Sequence, residues 1–133
     1  MEHLIIEASK STPAIHFDPE QHLLSIKGQS YPENSSKFYT PVFAWLKEYL
    51  ALPYLKNIII DIEMSYFNSS SSKILMNIFE MLDESAEDGK SVVINWLYQE
   101  DDDTSLECGE EFKEDISTNV IFNLVEIPAT RFK

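Results

Sequence analysis

The clearest chemical signal lies in Met64-Ser65-Tyr66-Phe67-Asn68-Ser69-Ser70-Ser71-Ser72-Lys73. Asn and Ser are preferred at helix starts, because their side-chain oxygens accept the free amides of the first turn. One cap needs one such residue, and here four serines follow the asparagine. They stand where a strand gives way to a helix, the end of an open α/β sheet at which functional groups are presented. A phosphate there would meet unpaired amides and the positive end of the helix dipole. It would add about −1.5 to −2 charge without unfolding the helix. The stretch reads as a phosphorylation switch; the plainer alternative is a helix cap and nothing more.

Other reactive residue types form weaker patterns. The turn Glu100-Asp101-Asp102-Asp103 clusters oxygens of the kind that suit Ca²⁺ or Mg²⁺. EF-hand spacing and its glycine are absent, so a solvated acidic loop is the plain reading. The rival is a metal-dependent hydrolase, or a Ca/Mg-binding protein, using Asp101, Asp102 and Asp103. His3, His16 and His22 all precede residue 23 and show no His-x-x-x-His spacing, which argues against zinc. Cys108 is the sole cysteine, so no intramolecular disulfide forms, and Glu107, Glu110 and Glu111 beside it disfavour a thiolate. There is no Gly-x-Ser-x-Gly elbow and no glycine-rich phosphate loop, with only three glycines in all. No catalytic constellation and no cofactor site emerge, and the chain is expected not to be an enzyme. Trp45 and Trp96 are expected in the core. Tyr31 and Tyr66, both placed in loops, are the better interface candidates.

The elements that must position these residues follow from periodicity. Leu4-Ile5-Ile6 reads as a first strand. Ala14–Phe17 and Leu23–Lys27 flank Asp18-Pro19-Glu20-Gln21, a tight turn, and so form a hairpin. Gly28 to Asn34 reads as a loop. A helix follows with Phe38, Val42, Trp45, Leu46 and Tyr49 on one face. Pro41 leaves two starts open: near Asn34 with a kink, or at Pro41 with Thr40 as cap. Asn57–Ile62 is the most apolar run and is expected to be a central strand buried on both faces. Ser69 to Asp88 reads as a helix burying Ile74, Leu75, Ile78, Met81 and Leu82, with Gly89 as its stop. Val92–Tyr98 is a strand. Ser105–Ile116 is a short helix that Gly109 interrupts, and Val120–Val125 is the last strand. Strands alternating with helices imply an α/β fold with a mixed, partly parallel sheet, an N-terminal hairpin and covering helices.

The 133 residues suit a single domain spanning 1–133. The formal charge of −13 is uneven. From Glu80 to Asp115 stand 14 acids and two bases, a net −12, whereas the other 97 residues net −1. Such a chain repels phosphates and anionic lipid, so neither nucleic acid nor membrane is an expected partner. No run approaches the ~18 apolar residues of a membrane span. Met1–Lys10 lacks the cationic start and long apolar core of a signal peptide. A soluble cytoplasmic protein is expected.

Three stretches, in order, carry a family resemblance: Gly28-Gln29-Ser30-Tyr31-Pro32-Glu33-Asn34; Tyr66 to Lys73; and Asn95-Trp96 with the acidic turn and Glu107-Cys108-Gly109-Glu110-Glu111-Phe112. Together they resemble the SiaC family of bacterial regulatory phosphoproteins, over nearly the whole chain to Asn123. The resemblance implies a STAS-like fold, as in anti-sigma-factor antagonists, with a phospho-acceptor at a helix start. It implies partner switching, with a cognate serine/threonine kinase and a PPM-type serine phosphatase acting in opposition. In the best-known branch the unphosphorylated form binds and activates a diguanylate cyclase, promoting cyclic-di-GMP signalling and biofilm formation. The family's acceptor directly follows the loop asparagine, which is Ser69 here, with Ser70 the alternative. Tyr31, Tyr66, Phe67, Asn68, Ser70, Ser71 and Lys73 would shape the partner-binding surface. His22 stands where the resemblance leads one to expect a glycine.

Overall fold

Two short antiparallel pairings open the chain. In the computed structural model, which describes residues 1–129, β1 (Leu4–Ile6) pairs with β2 (Ala14–Asp18), and β2 with β3 (Leu23–Ser30). Asp18 builds the expected turn: its Oδ1 accepts from the Glu20 amide at 2.9 Å and the Gln21 amide at 3.1 Å. The Gln21 amide foremost holds this carboxyl below its usual range. His22 then adopts φ +54°, the left-handed region that glycine enters freely. Its Nδ1 lies 2.8 Å from Tyr49 Oη, a contact glycine could not make.

From β3 the chain alternates helix and strand: α1 (Ser35–Leu50), β4 (Asn57–Phe67), α2 (Ser69–Glu87), β5 (Ser91–Gln99), α3 (Asp103–Asp115) and β6 (Ile121–Ile127). β3 to β6 run parallel, and the six strands lie in sequence order. Right-handed crossovers between successive neighbours place all three helices on one face. The expectation of a central strand buried on both faces is thereby corrected. Ile58, Ile60 and Ile62 are fully buried, whereas Ile59 is 40% exposed on the uncovered face. Isoleucine fills both faces of the run, so composition concealed the alternation.

Two strands run further than their apolar content suggests. Gln29 pairs with Tyr66 and Ser30 with Phe67, past a register shift at Gly28/Gln29 where Gly28 takes φ +135°. Part of the expected Gly28–Asn34 loop is therefore strand, and Tyr66 sits on β4 rather than in a loop. Here backbone pairing with β3 continues through polar residues, which leaves no apolar pattern to read.

The helices keep their expected stripes with local changes. α1 starts after Asn34, whose Oδ1 accepts from the Lys37 amide at 3.0 Å, and Pro41 lies inside it. Tyr39 is buried where Phe38 was expected, beside Val42, Trp45, Leu46 and Tyr49. α2 buries Ile74, Leu75, Ile78, Phe79 and Leu82, with Met81 half-buried. Each such side chain contributes roughly 1.5–3 kcal/mol by leaving water. Gly89 follows α2 with φ +97°, a left-handed stop. α3 begins at Asp103, and Gly109 does not interrupt it. A Cβ at Gly109 would lie 2.5 Å from Trp96 Cδ1 and 2.8 Å from Leu124 Cδ2, so the missing side chain lets α3 press onto β5 and β6. Among the described residues no helix is long and apolar enough to cross a membrane.

Candidate functional site

The serine run forms the first turn of α2, and hydrogen bonding sorts its members. Asn68 is extended at φ −87°, ψ 178°, and its Oδ1 accepts from the Ser71 amide and the Ser70 hydroxyl, each at 3.0 Å. Its own amide donates to Ser30 O at 3.1 Å, which ties the helix start to the end of β3. Ser71 is fully buried, with Oγ 2.7 Å from Ser30 Oγ, itself 2.6 Å from Tyr39 Oη. Burial pushes the Tyr39 phenol above its usual range, with the Ser30 hydrogen bond opposing. Ser70 Oγ lies 2.8 Å from Ser35 Oγ, so a second hydroxyl pair links the starts of α1 and α2. Ser69 is exposed, and among the described residues its hydroxyl has no hydrogen-bond partner.

The charged residue nearest to Ser69 along the chain is basic. Lys73, also exposed, lies four residues on and therefore on the same helical face. It joins neither of the ion pairs seen among the described residues, His3–Asp18 at 3.4 Å and Lys27–Glu63 at 3.9 Å. Tyr66, 54% exposed, packs edge-on against Tyr31 at 5.7 Å between ring centres. Phe67, next along β4, is half-buried against Trp96 at 5.9 Å and Phe112 at 6.2 Å. Of the residues expected on the partner surface, Tyr31, Tyr66, Asn68, Ser69, Ser70 and Lys73 gather at this end of the sheet. Ser71 does not reach the surface and Phe67 turns inward, because strand and helix periodicity point them at the core. Ser30, Ser35 and Tyr39 were missed. Only the parallel pairing of β3 with β4 brings Ser30 beneath Ser71, and no spacing along the chain announces it.

The acidic turn serves the next helix. Asp102 is the N-cap of α3, its Oδ1 accepting from the Ser105 amide at 3.0 Å, while Asp101 and Asp103 are exposed. Among the described residues no three His, Cys, Asp or Glu side chains converge in a metal-binding group. Cys108 is half-buried; burial first, then Glu111, Asp102 and Glu107, push its thiol above its usual range.

Known proteins resemble this chain in sequence and in fold. The profile of the SiaC family of regulatory phosphoproteins matches residues 6–127. An uncharacterized protein of Pseudomonas aeruginosa strain UCBPP-PA14 is 37% identical over 117 residues, covering 88% of this chain and 92% of its own. The solved structure of SiaC of Pseudomonas aeruginosa superposes with a TM-score of 0.87 at 35% identity, covering 96% of this chain and 100% of that one. The structure of the diguanylate cyclase SiaD in complex with its activator SiaC, from the same organism, also matches. Its TM-score is 0.87 at 35% identity, covering 93% of this chain and 99% of that one.

Proposed function

This chain belongs to the SiaC family of regulatory phosphoproteins, and on that premise we propose that it is a partner switch controlled by phosphorylation of Ser69. The observation that carries the acceptor is the sorting of the serines. Ser71 is buried and bonded, Ser70 is held between Ser35 and Asn68, Ser72 is half-buried, and of the four Ser69 alone is both exposed and without a hydroxyl partner among the described residues. A phosphate on Ser69 sits at the positive end of α2, within one turn of the Lys73 ammonium. The cap at Asn68 does not involve the Ser69 hydroxyl, so α2 keeps its start.

The unphosphorylated form docks on and activates a diguanylate cyclase, as SiaC does SiaD. Tyr31, Tyr66, Asn68, Ser70 and Lys73 supply the face around the acceptor. The added charge would have to be desolvated against the docked partner, and phosphorylation therefore blocks docking. A cognate kinase writes the mark and a PPM-type phosphatase removes it. The chain itself performs no catalysis: it is a ligand whose surface charge is set by others.

The test compares binding and activation of SiaD by wild type, Ser69→Ala and Ser69→Asp. Wild type and Ser69→Ala bind alike, and Ser69→Asp binds about tenfold or more weakly, as expected for a charge left against a desolvated interface. Equal binding by all three overturns the switch. Mass spectrometry after incubation with the cognate kinase places the phosphate on Ser69; a phosphate on Ser70 overturns the acceptor.

A further inference from the structure

The two edges of the sheet are finished differently. β1 is an edge of three residues, too short to template a long pairing. β6 is an edge of seven, Ile-Phe-Asn-Leu-Val-Glu-Ile, and among the described strands it is bonded to β5 alone. Its pairing runs from Ile121 to Ile127 without a register shift. It therefore lacks the proline, lysine or bulge that commonly blunts an exposed edge. The Glu100 amide donates to Ile127 O at 2.9 Å, so the Ile127 backbone faces β5. Backbone groups alternate in direction along a strand. Those of Asn123 and Val125 accordingly face β5, while those of Phe122, Leu124 and Glu126 face outward. On the uncovered face, Leu23, Ile59, Val93 and Ile121 stand in register as one apolar row that ends at this edge.

We propose that β6 pairs with β6 of a second copy of this chain, antiparallel about a two-fold axis at Leu124. The outward backbone groups call for an extended strand, and the side-chain order selects which one. About Leu124 the strand matches its own reverse, so Ile121 falls opposite Ile127 of the second copy and the apolar row continues across the axis. In that register Leu124 meets its own counterpart and Phe122 meets Glu126 of the second copy. Each outward donor then finds an outward acceptor. Charge supplies a second argument. Exposed Lys113 lines a cleft with Ile116, Val120 and Phe122 beside this edge, and it joins neither ion pair seen among the described residues. Glu126 of the second copy, opposite Phe122, comes within reach of that ammonium, and symmetry makes the contact twice. Glu110 and Lys113, neighbours three residues apart, leave this flank of α3 neutral. Gly109 faces the sheet, so exposed Glu107, Glu111 and Glu114, two or five residues from it, point away from the seam.

The test is sedimentation velocity of the unphosphorylated full chain from about 5 to about 500 µM, in about 0.3 M salt to screen the net charge. Two seven-residue edges make a small interface, so a dissociation constant of roughly 10–100 µM is expected. In hydrogen exchange, the amides of Phe122, Leu124 and Glu126 gain protection as concentration rises, while those of Asn123 and Val125, already turned to β5, change little. Glu126→Lys and Lys113→Glu each weaken association about tenfold or more by setting like charges together, and the two combined restore it to within about threefold. Glu126→Pro removes an outward donor, spares the β5 ladder and abolishes the dimer. A chain still monomeric at about 500 µM overturns the proposal. So does a dimer whose Phe122, Leu124 and Glu126 amides exchange as in the monomer, which would mean joining through the uncovered face. A double variant no tighter than the single ones overturns it as well. The seam uses no residue of the Ser69 face, so its failure leaves the partner switch standing.

Discussion

α2 and α3 start from the same plan and reach opposite electrostatic ends. Each follows a parallel strand, and each is capped by an Asx oxygen that accepts the amide three residues on at 3.0 Å. Each carries a buried serine at that third position, Ser71 in α2 and Ser105 in α3. The caps differ by a charge, Asn68 against Asp102. The serines differ in company: Ser71 reaches Ser30, while Ser105 Oγ has no partner among the described residues. Around α2 the neighbours are hydroxyls and Lys73; around α3 they are Asp101, Asp103 and Glu107. Backbone geometry gives both helices the same donor array, so it cannot decide which ligand either accepts. The flanking side chains decide it, because one full charge within the first turn outweighs the half charge of the dipole. An added phosphate suits α2 and would be repelled at α3.

The comparison breaks first where α3 is pressed against its strand. Gly109→Ala puts a Cβ 2.5 Å from Trp96 Cδ1, so either the indole or the helix must shift. A loss of about 1–3 kcal/mol in urea unfolding is expected, the usual range for overpacking. Hydrogen exchange should show α3 amides losing protection while the first turn of α2 keeps its own. Equal loss at both helix starts would mean the two are one cooperative unit, and the contrast would fail.

The paired serines give the next smaller effect. Ser71→Ala leaves the buried Ser30 hydroxyl with Tyr39 as its one remaining side-chain partner, and should cost about 1–2 kcal/mol. Ser105→Ala removes a hydroxyl with no protein partner and should change unfolding free energy by less than about 0.5 kcal/mol. Parallel urea titrations measure both. Equal costs would show that Ser105 is as well satisfied as Ser71, and the distinction between the two turns would lose its basis.

Much of this plan was legible from residue types, and the remainder was not for identifiable reasons. The Asp18 turn, the α2 stripe and the Asn68 cap follow from local chemistry, and the structure keeps them. His22 showed as an oddity in the resemblance, and its φ of +54° gives the cause. The one-sided sheet was hidden because Ile58, Ile59 and Ile60 look alike, although only topology decides which of them meets a helix. Gly109 read as a helix breaker because propensity is local, whereas its Cβ clash is with residues 13 and 15 positions away. The neighbours of Ser69 alone already suggest it as the acceptor we propose. What sets it apart from Ser70 and Ser71 comes from Ser35 and Ser30, which the chain brings in from over 30 residues upstream.

The smallest expected effect concerns how far the acidic field around α3 is felt. Cys108 lies in that helix, and its thiol is raised chiefly by burial, with Glu111, Asp102 and Glu107 adding to the shift. The thiolate is the reactive form, so alkylation by iodoacetamide at pH 8 should run slower in the folded chain than in urea. Glu111→Gln removes the carboxylate that acts most strongly on Cys108 and should speed the folded rate about twofold. Salt at about 0.5 M should do no more than this, because it screens exposed carboxylates and leaves burial untouched. If salt alone restored the unfolded rate, charge rather than burial would dominate at Cys108. The negative field would then reach deeper along α3 than its first turn, and the contrast with α2 would be one of whole helices rather than of their starts.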